Sequence, residues 1–233
     1  MSKKTIPKVI FKFDKEKDLE NIWKTCNTKQ YDYGAGFKEL VTKNILHICE
    51  GKKFKDCKKE LEETMSHIYK NPIVEVIVKS FNESWKKVDK EYFKRLERIM
   101  HTSLKINEIP VYLTNSPMCV YDPRKNSASF FTHFYGNISW TINVAMHELM
   151  HIYFHNSKYW KICEREIGRR KTFDLKEALT VLLNSEFNDL MINEDEGYEI
   201  HKELRKYIFK EWEKEKDFDS LIDKSIKWIK KNN

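Results

Sequence analysis

The chain has 233 residues, 40% of them hydrophobic and 34% charged, and its 43 Lys and Arg against 36 Asp and Glu leave a net charge of +7. This is the composition of a soluble globular protein with one good-sized core or two small ones, and it excludes a disordered or fibrous chain. The lysines are spread along the whole length, with no Gly-rich phosphate loop and no RNA-recognition signature, so nucleic-acid binding is disfavoured.

The opening stretch MSKKTIPKVIFKFDKEKD lacks the apolar segment of a signal peptide. Nowhere do about 18 apolar residues run together, so no membrane span is expected. Lys8 to Phe13 (KVIFKF) reads as a short strand. From Leu19 to Tyr69 apolar residues recur at helical spacing (Leu40, Ile45, Ile48, Leu61, Met65, Ile68), interrupted by the two glycines of YDYGAGF, Tyr31 to Phe37. Asn71 followed by Pro72 has the form of an N-cap with proline at the first helical position. A long helix is expected from there to about Met100, with Trp85, Val88, Tyr92, Leu96 and Ile99 on one face, although its first residues, IVEVIV, also suit a strand.

The pattern changes near Asn107. IPVYLTN, MCVYD and SASFFTHFYG are short β-like segments separated by turn material, and after Gly136 and Asn137 the helical pattern returns and holds to the end. The expected fold is α+β, mostly helical, with a small mixed β-sheet before the helix that starts near residue 138. Residues 1–106 form a largely helical region without recognisable chemistry, and residues 107–233 carry the motifs, the two making one compact unit. Cys26, Cys49, Cys57, Cys119 and Cys163 are odd in number and form no CxxC pair. They read as reduced thiols of a cytoplasmic protein, not as a disulfide framework or a cysteine-only zinc site.

Ala145 to Phe154 read AMHELMHIYF. Residues four apart share one helix face, so His147 and His151 can aim both imidazoles at one point, with Glu148 beside it. This is the HExxH arrangement, in which two neutral imidazoles hold Zn²⁺, the metal acidifies a water and the glutamate takes the proton. Chance would place such a motif in about 3% of shuffled chains of this composition, and then on an ordinary exposed face. Here Val144, Met146, Leu149, Met150, Ile152 and Phe154 surround it, and burying three titratable groups is costly unless they share partners or a metal.

The order of strands, HExxH helix and further helices, covering about Asn107 to Asp189, resembles the zincin metallopeptidases, and its specific motif is His147-Glu148-Leu149-Met150-His151. The resemblance implies a zincin-like fold, His147 and His151 as metal ligands, Glu148 as general base, Zn²⁺ as cofactor and a peptide or protein as substrate. SASFFTHFYG is then expected to supply an edge strand against which an extended peptide can pair.

A catalytic zinc keeps three protein ligands, and three residues compete for the third place. Phe154 and Ser157 stand where the metzincin pattern needs Gly and His. HELMHIYFHNSKYW resembles the SprT-like proteases loosely, which brings in His155, but three histidines on successive turns spread over about 12 Å and cannot share one ion. In a gluzincin-like or Peptidase-MA-like layout a later glutamate closes the site. Glu177, in FDLKEALTVLLN, is expected just inside a helix capped near Asp174, and Glu186, in NSEFNDL, stands three residues before Asp189. Glu177 is preferred, because its helix is otherwise apolar and an unpaired carboxylate there would be costly; the bland alternative is a first-turn glutamate favoured by the helix dipole. ImmA/IrrE-type regulatory peptidases also combine HExxH with a later glutamate, but no helix-turn-helix accompanies the motif here.

Tyr198, His201 and His133 are the candidates for stabilising an oxyanion. The expected function is a zinc metallopeptidase, against a non-catalytic binding or regulatory module that keeps a zincin fold. The sequence gives no oligomeric state.

Overall fold

The structure is a computed structural model that describes residues 6–28, 36–124 and 126–232. In chain order it runs β1 (Lys8–Phe13), α1 (Lys15–Asn27), a 3-10 turn (Phe37–Leu40), α2 (Lys43–Cys49), α3 (Phe54–Tyr69), α4 (Ile73–Trp85) and α5 (Asp89–Met100). Then follow β2 (Glu108–Thr114), β3 (Tyr121–Asp122), β4 (Ser129–His133), α6 (Ile138–Asn156), α7 (Lys158–Leu179), α8 (Leu182–Glu186), α9 (Lys202–Glu215) and α10 (Phe218–Lys231). The fold is α+β, mostly helical with a small mixed sheet. Residues 31–35 of the glycine-bearing YDYGAGF interruption lie outside the described residues, and its Phe37 opens the 3-10 turn, where Leu40 is 72% exposed instead of lying on an apolar face.

The four strands are ordered β1-β2-β4-β3. β1, β2 and β4 are parallel, in registers that include Val9 with Ile109 and Val111 with Phe130; β3 runs antiparallel to β4, with Tyr121 opposite Phe130. Alternate residues of the sheet (Val9, Phe11, Ile109, Val111, Leu113, Phe130) face one large core shared with α4 to α10, as the period-2 pattern requires. That core draws on residues from both sides of position 106. A smaller cluster of Leu19, Ile22, Cys26, Ile48, Leu61 and Met65 binds α1, α2 and α3 together. Among the described residues no helix is long and apolar enough to cross a membrane.

Two expectations change here. The long helix expected from Pro72 to Met100 is two helices, separated at residues 86–88 with neither Gly nor Pro at the break. The turn lets Trp85 pack edge-on against Tyr92 and Phe93, with ring centroids 5.7 and 6.1 Å apart. IVEVIV is helical, and Asn71 Oδ1 accepts the Ile73 N–H at 3.0 Å. The second change concerns β4, which is not an edge strand: β3 lies outside it and takes the edge.

The opposite edge, β1, is closed by a side chain. The Asn82 amide accepts from Phe11 N–H at 3.1 Å and donates to Phe11 C=O at 2.8 Å, standing in for a neighbouring strand. At the end of β2, buried Asp18 of α1 accepts from Thr114 Oγ1 and Asn115 N–H, both at 2.7 Å. This fixes the chain just before it turns into β3 beside the HExxH helix.

Candidate metal centre

α6 starts where Asn137 Oδ1 accepts the Trp140 N–H at 2.9 Å and then buries all but a narrow strip of itself. Tyr92 of α5 donates its hydroxyl to the carbonyl of Met146, the residue before the motif. Ser157 then ends α6 and caps α7, donating to Phe154 C=O at 2.7 Å and accepting the Tyr159 N–H at 3.2 Å. α7 is therefore forced to double back beside α6. It does not run straight: Gly168 has φ 76° and ψ 163°, a left-handed region that only glycine enters freely, and the bend re-aims the second half of the helix. That half ends at Leu179 and brings Glu177 to the histidines.

The meeting is close. Glu177 Oε2 lies 3.4 Å from His147 Nε2 and 3.2 Å from His151 Nε2, and the two rings sit 4.3 Å apart at 74°. Ligands at about 2.0–2.1 Å around a tetrahedral ion lie roughly 3.3–3.4 Å from one another. The two oxygen–nitrogen separations thus match neighbouring corners of a tetrahedral site, and the candidate ligand atoms of the three residues, all within 4.8 Å of one another, could hold a metal ion. Glu177 is not in a first helical turn capped by Asp174, as the sequence had indicated. It stands in the last turn of α7, where the helix dipole disfavours a carboxylate. Asp174 is mid-helix, and its Oδ1 takes His201 Nε2 at 3.3 Å.

The other two candidates for that place are elsewhere. α6 continues to Asn156, so His155 lies a turn beyond His151, and its ring stacks on Trp160 at 3.5 Å. Glu186 Oε1 accepts from Trp212 Nε1 at 2.9 Å and from Lys216 Nζ at 2.7 Å, tying α8 to α9. Asp189 pairs with Arg95 through both oxygens, at 2.5 and 2.8 Å.

Asp195 was not legible in the sequence. Its Oδ2 lies 2.6 Å from His147 Nδ1, which must therefore carry the proton and donate, leaving Nε2 to face Glu177. Asp195 is itself held from several sides. Thr180 Oγ1 donates to Oδ1 at 2.7 Å, Arg205 Nη2 reaches it at 2.9 Å, and Asn184 bonds the backbone N–H and C=O at 2.8 and 3.0 Å. Gly197 at φ 65° completes this seat, since a Cβ there would come within 2.6 Å of the Arg205 guanidinium. The cue available in the sequence was an acidic run, NEDEG, after the Glu177 helix, but no fixed spacing singles out one of its acids. If the three residues hold a metal ion, substituting Asp195→Asn is expected to weaken its binding about 10- to 100-fold while the helical circular dichroism is kept. A competition titration against a chromophoric chelator reads this, and an unchanged affinity would show that Asp195 does not act through His147.

The electrostatics follow from burial and these partners. Burial alone would depress His147, but the Asp195 and Glu177 carboxylates outweigh it and raise its pKa to about 10. His151, buried and facing the Lys176 ammonium, is pushed down to about 3. Burial opposes ionisation of Glu177 and Asp195, yet the imidazoles, with Lys176 for the former and Arg205 for the latter, hold both well below the usual carboxylate range. Glu148 is different. Burial raises it to about 7, and its Oε2 has no hydrogen-bond partner. An orphaned carboxylate oxygen next to two imidazoles is costly unless something polar occupies the space it faces.

Glu148 also borders a cleft in two parts. A cavity of about 450 Å³ is lined by Trp140, Asn143, Asn193, Glu194 and Glu196, and a smaller one of about 170 Å³ by Tyr121, His151, Phe173 and Lys176. Phe37, Cys119, His147, Glu148 and Tyr198 border both. Of the three oxyanion candidates, Tyr198 lines both cavities and His133 only the larger, between the rings of Tyr135 and Trp140 at 5.0 and 5.1 Å. His201 is buried against Asp174 and lines a separate cavity. In comparisons with known proteins, no family model, no curated protein and no solved structure matches this chain.

Proposed function

We propose that the protein is a zincin-like metallopeptidase in which His147, His151 and Glu177 hold Zn²⁺ and Glu148 is the general base. One observation carries this reading: a carboxylate oxygen and two imidazole nitrogens converge at 3.2–3.4 Å, with a further glutamate facing the same cleft. Two imidazoles and one carboxylate are borderline donors that suit zinc better than calcium or magnesium, which prefer all-oxygen shells. Zinc bound there would polarise the scissile carbonyl and acidify the attacking water.

The chain's own residues supply the rest. Glu148 takes a proton from the water and passes it to the leaving amine, a task for which its raised proton affinity suits it. Asp195 holds a proton on His147 Nδ1, so that Nε2 is the nitrogen that would give up its own proton and turn to the metal. Tyr198, which borders both cavities, is the residue we assign to meet developing negative charge on the carbonyl oxygen. The substrate is a peptide or exposed protein segment laid along the cleft.

Elemental analysis is expected to give one zinc per chain, and a strong chelator should abolish cleavage of a broad peptide panel, with recovery on adding zinc back. Protein that takes up no zinc although both histidines are intact would overturn the metal site. Zinc-loaded protein that cleaves nothing in the panel would instead favour a binding or regulatory module.

A further inference from the structure

Lys176 is the one buried lysine among the described residues, 3% exposed, and it sits next to the carboxylate that closes the candidate metal centre. Its Nζ lies 2.7 Å from Glu177 Oε1, whereas the histidine nitrogens pair with Oε2. Consecutive residues on a helix point about 100° apart and do not normally meet. Here the contact is imposed from outside the helix. The ammonium lies 4.5 Å over the ring of Tyr121, on the edge strand β3, and 5.6 Å from that of Phe173, one turn earlier in α7. Two aromatic faces enclose the cation and leave Glu177 as its ion-pair partner among the described residues. Enclosing a lysine in this way is unfavourable unless its charge is matched, so the arrangement is built and not incidental.

The effect is to divide the carboxylate. Oε2 faces both imidazoles at 3.4 and 3.2 Å, and Oε1 belongs to Lys176. A carboxylate with both oxygens free can grip an ion at two points and so consume a coordination position that water or substrate needs. We infer that Lys176 is a positioning residue that claims one oxygen of Glu177, restricts it to one-point metal contact and thereby keeps a coordination position open. This rests on the metal-site reading above. Lys176 also lines the smaller cavity, so the same side chain borders the space that position would face.

Cobalt(II) in place of zinc makes the effect visible. Four-coordinate cobalt absorbs visible light several-fold more strongly than five- or six-coordinate cobalt. The wild-type protein loaded with Co²⁺ is expected to show the intense four-coordinate band. Lys176→Met is close to lysine in length and apolar enough for its aromatic enclosure. Its band should lose several-fold in intensity as Glu177 turns two-point. Lys176→Arg, which keeps the charge, should restore the wild-type band. Lys176→Met with an unchanged band, whatever its melting temperature, would overturn the inference and reduce Lys176 to a structural ion. If Lys176→Met does not fold, zinc X-ray absorption of the wild type decides. One oxygen from Glu177 in the first shell supports the inference, and two overturn it. Wild-type protein that takes up neither metal would overturn the metal-site reading itself, a result distinct from either of these.

Discussion

Glu177→Ala is expected to lower zinc affinity by orders of magnitude and to abolish peptide cleavage, whereas His155→Ala and Glu186→Ala should keep one zinc per chain. The carboxylate is the one anionic donor among the three converging groups, and its Oε2 is the atom within 3.4 Å of both imidazoles. Without it two neutral nitrogens remain, and metal sites of that size are weak. The same substitution leaves Lys176 buried without a counter-charge, which costs about 3–5 kcal/mol in comparable buried pairs. Folding should therefore be checked alongside metal content. Glu177→Asp is a gentler version, since shortening the side chain by one methylene misplaces the ligand oxygen where distances tolerate only about 0.2 Å. Glu186→Ala should act elsewhere. It strips the acceptor from Trp212 Nε1 and Lys216, for about 1–3 kcal/mol of stability, with zinc uptake unaffected. Equilibrium dialysis with metal analysis separates these outcomes, and full zinc occupancy in Glu177→Ala would remove it from the ligand set.

Glu148→Gln is expected to give the complementary result: zinc stoichiometry unchanged, turnover lower by about 10²- to 10⁴-fold. Glutamine keeps the volume of the side chain but can neither take up nor return a proton. Glu148 lies outside the converging triad and has an unpartnered Oε2, so little in the fold depends on its charge. Burial holds its pKa near 7, and removing an ionisable carboxyl there relieves a desolvation cost. The variant should be at least as stable as the parent. Steady-state cleavage rates normalised to bound zinc provide the measurement. A variant that retains wild-type turnover would exclude Glu148 as the base.

Much of the scaffold around the site was legible because it depends on local rules. β1 begins and ends where the KVIFKF alternation does, and α6 begins just after the asparagine that caps it. The cost of an uncompensated carboxylate in an apolar helix favours Glu177 over Glu186, and the structure brings Glu177 to the histidines and leaves Glu186 with Trp212. What escaped the sequence depends on distant partners. Asp174 looks like a helix cap because Asp before an apolar run commonly is one, but α7 was already under way and its side chain answers His201. The bend that delivers Glu177 comes from Gly168, and a lone glycine inside a helical pattern does not announce a change of direction. Strand order has no local signature either. β4 reads as an edge from its own residues, and only its pairing with both β2 and β3 places it inside. Asp195 is the clearest omission, since its role is fixed by Thr180, Asn184 and Arg205, and none of these marks it out along the chain.

The amide of Asn82 has a consequence for how copies of this protein meet. A sheet with two open edges can be extended from either side, and molecules bearing such sheets can zip together into open-ended stacks. Because Asn82 occupies both hydrogen-bonding groups of Phe11, a further strand cannot pair with the middle of β1. The remaining edge, β3, is two residues long, too short to template a second copy but long enough to orient a single extended chain. Self-association through the sheet is thus blocked at one side and starved of length at the other. An extended chain added at β3 would pass Tyr121, whose ring lies 5.5 Å from that of His151.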